Sequence, residues 1–157
     1  MGLMRVHIAT DHAAFECKQF LVESLRAKGY EIVDHGAVTS DPDDDYPATI
    51  IPCAEAVRDD PGSLGIVLGG SGNGEQMAAN KVTGIRAALA YDIATAQLAR
   101  EHNDAQVVAL GGRMHTLQEA LGIVLVFLET PFSGNPRHQR RIDMITRYEK
   151  TGVLTTT

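Results

Sequence analysis

A glycine-rich segment followed by one acidic residue is the part of this sequence best suited to chemistry. The segment runs Gly69-Gly70-Ser71-Gly72-Asn73-Gly74, and Glu75 comes directly after it. Glycine reaches the positive φ angles that let several backbone N–H groups point at one anionic oxygen. A short helix predicted from Glu75 to Lys81 turns its positive end toward the same point. The pattern indicates a carboxylate base beside donors that hold the anion it generates.

Two interpretations of the glycine segment are open: binding of a phosphate, and close packing of a helix against a sheet. Its G-x-G-x-G arrangement, at Gly70, Gly72 and Gly74, matches neither the GxGxxG dinucleotide fingerprint nor the GxxxxGK[ST] phosphate loop. A nucleotide cofactor is therefore not the first expectation. We predict a small, phosphorylated ligand.

Two further pairs of residues have types that suit proton transfer. Asp11-His12 directly follows the first predicted strand and could shuttle a proton or bind hydroxyl groups, but it could equally cap a helix. His102-Asn103 ends a predicted helix, where the helix dipole favours a protonated histidine. A purely structural role for His102 is therefore also open.

Arginines near the start of the last predicted helix suit a phosphate group. Arg137 and Arg141 are one turn apart and share a face, in the part of the helix where positive side chains oppose the dipole. The arrangement becomes favourable when a phosphate binds the guanidinium groups and the free N–H groups. Arg113, after the fifth strand, is a third candidate. The alternative is a solvated basic face.

Strand and helix patterns alternate along the chain, which predicts an α/β fold: a three-layer α/β/α sandwich around a Rossmann-like, five-stranded parallel sheet. Ligands of such sheets bind at the carboxyl ends of the strands, which is where Asp11, Glu75 and Arg113 fall. We expect a single domain with its core at about residues 5–150 and a flexible tail over 151–157. Strands are expected at 5–10, 31–34, 64–68, 85–90 and 106–110.

Composition excludes several classes of function. The net charge is −6 and no basic stripe runs along the chain, so a nucleic-acid partner is not expected. No apolar stretch approaches ~20 residues and no signal-peptide layout opens the chain, so we expect no membrane association and a cytoplasmic location. Cys17 and Cys53 are interpreted as buried free thiols. The acidic run at 41–45 is interpreted as a solvated loop in preference to a metal site, and we expect no metal.

The ordered motifs of residues 5–150 resemble the ribose-5-phosphate isomerase type B family, which also contains related sugar-phosphate isomerases. The motifs are Asp11-His12, Gly70-Ser71-Gly72-Asn73-Gly74, Ala78-Ala79-Asn80-Lys81, His102-Asn103, Gly111-Gly112-Arg113, and Arg137 with Arg141.

The resemblance implies interconversion of ribose 5-phosphate and ribulose 5-phosphate without a metal or organic cofactor. It implies that Glu75 moves the proton between the two carbons, while N–H groups of residues 71–74 hold the enediolate oxygen. His102, helped by Asp11 and His12, would open the sugar ring. The substrate-binding residues would be Asp11, His12, Gly70, Ser71, Gly72, Asn73, Gly74, Asn103, Arg113, Arg137 and Arg141.

Two positions depart from the family pattern. Gly69 stands where many members have a cysteine base, which implies the branch in which Glu75 takes over that role. Ala14 stands where a glycine often follows Asp-His-Ala, which could narrow or reshape the pocket. Isomerisation of a four- or six-carbon sugar phosphate, and a non-catalytic sensor of phosphorylated ligands, are the alternatives.

The directions of the predicted helices favour an active site shared between two subunits. Helices from Asp92 and Thr116 run back along the sheet, which brings His102 and Arg137 to its amino edge. Glu75 and Arg113 belong to the carboxyl edge, ~15–20 Å away for strands of five or six residues. We therefore predict a homodimer, with a tetramer also open, and expect the apolar helix at 117–128 to contribute to an interface.

Overall fold

The computed structural model describes residues 3–156 and contains a five-stranded parallel sheet. Its strands are β1 (Arg5–Thr10), β2 (Glu31–Asp34), β3 (Leu64–Gly69), β4 (Ala87–Leu89) and β5 (Val107–Gly111), paired in the order β2-β1-β3-β5-β4. Its helices are α1 (Phe15–Ala27), α2 (Pro47–Arg58), α3 (Asn73–Ala79), α4 (Ile93–Asn103), α5 (Leu117–Glu129) and α6 (Pro136–Thr151). The predicted α/β fold is confirmed.

The sheet separates two apolar layers because successive side chains of a strand point to opposite faces. Val6 and Ile8 of β1 belong to the layer that α1, α4 and α5 cover. Ala9 of β1 and Val67 of β3 belong to the opposite layer, which α2 and α3 cover. Both faces of the sheet are thus buried, as the continuous apolar strands predict. The result is the predicted three-layer sandwich.

Side-chain caps fix where two of the helices begin. The Asp92 side chain accepts a hydrogen bond from the Thr95 N–H at 2.7 Å, and Thr116 accepts one from the Glu119 N–H at 3.1 Å. Each cap satisfies an N–H group that has no partner within its own helix. Both caps were predicted from the sequence, and they set the starts of α4 and α5 and hence the directions in which these helices run.

Element boundaries differ from the sequence prediction by one residue at several strand ends and by more in three places. Strand β4 has only three residues, and helix α3 starts at Asn73, two residues before the predicted Glu75. Helix α6 extends to Thr151, inside the segment predicted to be a flexible tail. The tail's last residue, Thr157, lies outside the described residues. Among residues 3–156, no helix combines the length and the apolar character needed to cross a bilayer.

The loop between β2 and α2 is anchored to the end of β1. The Thr10 N–H donates to the Gly36 carbonyl at 2.7 Å, and the Ala37 N–H donates back to the Thr10 carbonyl at 2.9 Å. Lys18 is completely buried in α1, and its Nζ donates to both Asp34 carboxylate oxygens and to the Ala37 carbonyl. The residue after Thr10 is Asp11, so these contacts fix a strand end that carries chemistry.

Candidate active site

A cleft of about 550 Å³ opens at the carboxyl edge of the sheet. Its volume lies in the range of small-molecule sites. The ends of β1, β3 and β5 supply most of its lining, because parallel strands finish at one edge. The lining residues are Asp11, His12, Ala13, Tyr46, Gly70, Ser71, Gly74, Glu75, Arg113 and Met114.

The Glu75 carboxylate lies against Gly69 at the end of β3. A Cβ atom added to Gly69 would coincide with the Glu75 side chain, lying 2.6 Å from Oε2 and closer still to Cδ and Oε1. The first turn of α3 thus returns the carboxylate to the place that a side chain at position 69 would occupy. Only a residue without a Cβ at position 69 leaves that place free.

Burial makes Glu75 a stronger base than an ordinary glutamate. The residue is only 4% exposed, and this desolvation, followed by the negative charge of Asp11, raises the pKa of its carboxyl group. Hydrogen bonds from the backbone N–H groups of Glu75 and Gly72 oppose the shift. From the sequence, burial and the loop dipoles act in opposite directions, and the structure shows that burial is the larger effect. A base whose pKa lies nearer neutrality is better suited to proton abstraction.

Two glycines of the segment are required by close contacts. Gly72 has φ of +89° at the start of α3, and a Cβ atom there would approach Leu110 backbone carbon to 2.9 Å. Gly74 lies under the ring of Tyr46, whose Cζ atom would be 2.6 Å from an added Cβ. The segment therefore brings bare backbone to the cleft floor, with Tyr46 as one wall.

His12 faces the cleft and bonds to an acidic side chain. Its Nδ1 lies 2.7 Å from Asp44 Oδ1. The hydrogen bond that the imidazole donates to Asp44 raises the pKa of His12 and nearby Asp11 adds to this, whereas burial and the positive charge of Arg113 oppose it. Asp11 also accepts a hydrogen bond from the Ala13 N–H at 2.9 Å. The predicted cap is therefore confirmed, and Asp11 also lines the cleft, where a part in proton transfer or hydroxyl binding stays a prediction.

Four predicted site residues form a second group at the other edge of the sheet: His102, Asn103, Arg137 and Arg141. The carbonyl of Asn103, at the end of α4, accepts a hydrogen bond from Arg86 Nε at 2.9 Å, and Arg86 directly precedes β4. The ring centroids of His102 and His138 are 4.2 Å apart. This group therefore lies at the amino edge and does not line the cleft that contains Glu75.

Arginines of α6 belong to the amino-edge group. Burial lowers the pKa of His138, and the positive charges of His102, Arg137 and Arg141 lower it further. Arg137 and Arg141 therefore place positive charge beside the two histidines, where an anion could bind. The structure divides the predicted site into two sets, one at each end of the strands, as the helix directions predict.

Three side chains in the cleft have the atom types of a metal site. Ligand atoms of Asp11, His12 and Asp44 lie within 4.8 Å of one another. Carboxylate and imidazole groups are ligands of divalent cations. In the structure, however, Asp44 accepts from His12 and Asp11 accepts from the Ala13 N–H. We interpret the group as a hydrogen-bond network beside the cleft.

Sequence reasoning missed two polar side chains at this cleft: Tyr46, which lines it, and Asp44, which contacts the lining residue His12. Asp44 belongs to the acidic run interpreted as a solvated loop, and that interpretation holds for Asp41, Asp43 and Asp45, which are exposed. Asp44 instead turns toward His12. Tyr46 precedes the proline that starts α2, and no local pattern distinguishes it from an ordinary loop tyrosine. Both residues reach these positions through tertiary contacts.

Comparison with known proteins identifies the family of this fold and cleft. The family model described as Ribose/Galactose Isomerase matches residues 6–145. The chain belongs to this isomerase family. Ribose-5-phosphate isomerase B of Mycobacterium tuberculosis is 58% identical over 151 residues, which cover 96% of this chain and 93% of that protein. The predicted resemblance is confirmed.

Solved structures of the isomerase family agree with the computed fold. Ribose-5-phosphate isomerase B of Mycoplasma genitalium, solved with ribulose 5-phosphate bound, superposes with a TM-score of 0.91 at 41% identity. The match covers 96% of this chain and 99% of that one. The Clostridium thermocellum enzyme gives the same TM-score at 39% identity, covering 96% and 100% of the two chains.

One departure from the family pattern can be located in the structure. Ala14 is buried and packs beside Gly112, where a second Cβ atom would come within 2.6 Å of the Ala14 Cβ. Ala14 does not line the cleft that holds Glu75, whereas its neighbour Ala13 does. The extra methyl group is therefore buried and is not part of the lining of this cleft.

Proposed function

We propose that this chain interconverts ribose 5-phosphate and ribulose 5-phosphate through an enediolate intermediate. The observation that carries the proposal is the buried Glu75 carboxylate, whose pKa is raised, at the floor of a cleft lined by bare backbone. The family relatives named ribose-5-phosphate isomerase B support the choice of substrate. The proposed reaction moves one proton and two electrons within a single molecule, so it requires no external redox partner.

The proton transfer is assigned to Glu75. Its carboxylate removes the proton on the carbon next to the carbonyl and returns it to the neighbouring carbon, which converts aldose to ketose. N–H groups of residues 71–74 stabilise the oxyanion that develops, because oriented donors in a site shielded from water bind such charge strongly. His12 and Arg113 line the same cleft and add positive charge to it.

The amino-edge group completes the proposed site from a second subunit. His102 opens the sugar ring, Asn103 binds its hydroxyl groups, and Arg137 and Arg141 bind the phosphate. The two groups lie at opposite ends of strands up to six residues long, which at 3.3 Å per residue separates them by roughly 15–20 Å. A two-fold axis that sets the amino edge of one subunit against the carboxyl edge of its partner brings the groups together twice.

The surface around α6 supports this homodimer. Only His138 and Ile142 of its sixteen residues are buried, although Ile145 and Tyr148 are apolar and more than half exposed. A cavity of about 740 Å³ lies between α6, α4 and β4. It is larger than the Glu75 cleft but is lined mainly by apolar side chains and carries no strand-end acid. We assign its apolar lining to subunit contact, whereas Asn103, which also lines it, belongs to the amino-edge group of the proposed shared site.

The substrate proposal is tested with purified protein in a coupled assay against four-, five- and six-carbon sugar phosphates. Fastest turnover of ribose 5-phosphate, with a loss of at least ~10²-fold in Glu75→Gln, supports the proposal. A clear preference for a six-carbon substrate redirects it to the other activity in the family description. Absence of turnover, with sugar phosphate still bound, would favour the sensor.

The shared site is tested by mixing two inactive variants, Glu75→Gln and His102→Ala. Random exchange gives half heterodimers, each with one intact site, so activity should recover to about a quarter of the wild-type value. Differently tagged chains report whether exchange has taken place. Verified exchange without recovery contradicts the shared site.

We also propose a cytoplasmic location. Cys17 and Cys53 are free and buried, which is common in a reducing compartment. Fractionation of cells that express the protein at its natural level tests this assignment.

A further inference from the structure

Asp44 differs from the three other aspartates of its loop. Asp41, Asp43 and Asp45 are exposed, whereas Asp44 is partly buried and turned toward His12. Two hydrogen bonds form a turn that sets the direction of the Asp44 side chain. The Asp44 N–H donates to the Asp41 carbonyl at 3.1 Å, and the Asp43 N–H donates to the Asp41 side chain. The orientation is therefore built into the loop.

The contact between Asp44 and His12 fixes one ring nitrogen. Asp44 Oδ1 lies 2.7 Å from His12 Nδ1 and 3.3 Å from the His12 backbone nitrogen. Because a carboxylate only accepts hydrogen bonds, Nδ1 carries the proton in this contact. The other ring nitrogen, Nε2, is left on the opposite side of the ring. A carboxylate that holds one nitrogen of a histidine in this way sets its tautomer and orientation.

The two partners are held on a common support. Thr10, which precedes Asp11-His12, exchanges backbone hydrogen bonds with Gly36 and Ala37 at the start of the loop. Its carbonyl also accepts from the Thr49 hydroxyl at 2.9 Å, in the first turn of α2 beyond the loop. Both ends of the loop that carries Asp44 are therefore tied to the strand end that carries His12.

We propose that Asp44 is a positioning residue that holds His12 with a proton on Nδ1 and turns Nε2 toward the phosphorylated sugar. As an imidazolium, His12 then donates from Nε2 to a substrate oxygen and adds one positive charge to the cleft. The charged groups around it are Asp44 and Asp11, which favour the imidazolium, and Arg113, which opposes it. Glu75 lines the same cleft. The inference rests on the proposed function for its kinetic consequences, but the state of the ring can be measured without turnover.

The test compares Asp44→Asn with Asp43→Asn and Asp45→Asn, which remove the same charge from neighbouring exposed positions. NMR of the ring nitrogens, assigned with a His12→Gln variant, follows the titration of His12 in each protein. In Asp44→Asn, the His12 midpoint should move to lower pH and the preference for a proton on Nδ1 should weaken. The two control variants should leave both unchanged, and the melting temperature of all three should stay near that of the wild type.

Kinetics supply the second measurement. Asp44→Asn should raise KM for ribose 5-phosphate roughly tenfold or more, as expected for loss of a hydrogen bond to a charged group, with a smaller effect on kcat. The alkaline limb of kcat/KM should shift to lower pH together with the His12 midpoint. Asp44→Glu should recover part of both effects, because it restores a carboxylate.

Two results would overturn the proposal. One is an unchanged His12 titration in Asp44→Asn. The other is a rise in KM in Asp43→Asn or Asp45→Asn equal to that in Asp44→Asn, which would indicate general electrostatics of the loop. If the wild-type protein does not isomerise sugar phosphates, the proposed function fails, whereas the NMR comparison still decides the role of Asp44.

Discussion

The space at the end of β3 is shared by Gly69 and the Glu75 carboxylate, so an alanine at position 69 tests whether the carboxylate must occupy it. Ordinary van der Waals contact begins at 3.4 Å, and the alanine Cβ would lie 2.6 Å from Oε2 and closer to two other atoms of the side chain. The carboxylate must therefore retreat by about 1 Å or more. A misplacement of this size costs about 10²-fold in rate.

We expect Gly69→Ala to lower kcat about 10²-fold and to leave KM nearly unchanged, because the groups assigned to substrate binding do not move. The fold should tolerate the change. Gly69 is not among the glycines with positive φ, and the atoms displaced are the end of a flexible side chain. Thermal unfolding should therefore show a shift of only a few degrees, which separates a catalytic defect from a folding defect.

The control for this experiment is a double-mutant cycle with Glu75→Gln. If alanine at position 69 acts by moving the carboxylate, it should add little to the loss already caused by Glu75→Gln, since contacting residues that act as a unit are not additive. Near-normal turnover of Gly69→Ala would refute the reasoning. An equal further loss in the Glu75→Gln background would also refute it, because the effect would then not pass through Glu75.

Three further predictions follow from the charges in the two half-sites. The pKa of Glu75 is higher in the folded protein than in the unfolded chain, where it is about 4.3. The stabilisation that Glu75 contributes is therefore complete at pH values below about 4.3, and it is lost as the pH rises through the pKa of the folded protein. Calorimetry should therefore show Glu75→Gln more stable than wild type at pH 7 but not at pH 4, and equal differences at both would contradict this. Asp11→Asn removes a charge that raises the pKa of Glu75, so the acidic limb of kcat/KM should move to lower pH, and an unmoved limb would exclude the coupling. Arg137→Ala or Arg141→Ala should raise KM strongly, because each removes a charged group assigned to the phosphate. Arg140 lies on the side of α6 opposite its buried residues, so Arg140→Ala should leave KM unchanged. Equal effects of all three variants would indicate that the segment is a solvated basic face.

Local patterns were sufficient to predict the elements that position the site. Continuous apolar runs predict the buried parallel strands, and Asp92 and Thr116 are recognisable caps because capping depends on neighbours three residues away. From these starts, the directions of α4 and α5 follow, and with them the separation of His102 from Glu75. This separation is a consequence of chain direction alone.

Tertiary contacts account for what the sequence could not predict. Asp44 is one of four aspartates in a short run, and only the anchoring of its loop to β1 decides which of them meets His12. The balance of burial against donor groups that sets the pKa of Glu75 depends on how deeply the side chain is covered. No periodicity or motif in the sequence indicates which aspartate meets His12 or how deeply Glu75 is buried.

Gly69 and Glu75 illustrate why the candidate base cannot be understood one position at a time. The carboxylate belongs to a helix, yet it acts at the end of a strand because position 69 has no side chain. A larger residue at 69 displaces the base, and loss of Glu75 leaves a void beside a bare strand end. The two positions therefore constrain each other, and any variant that moves the base to the strand has to change both. The raised pKa of Glu75 follows from the same geometry. Because Gly69 has no side chain, the carboxylate lies in a buried space near Asp11, and both the burial and the charge of Asp11 raise its pKa.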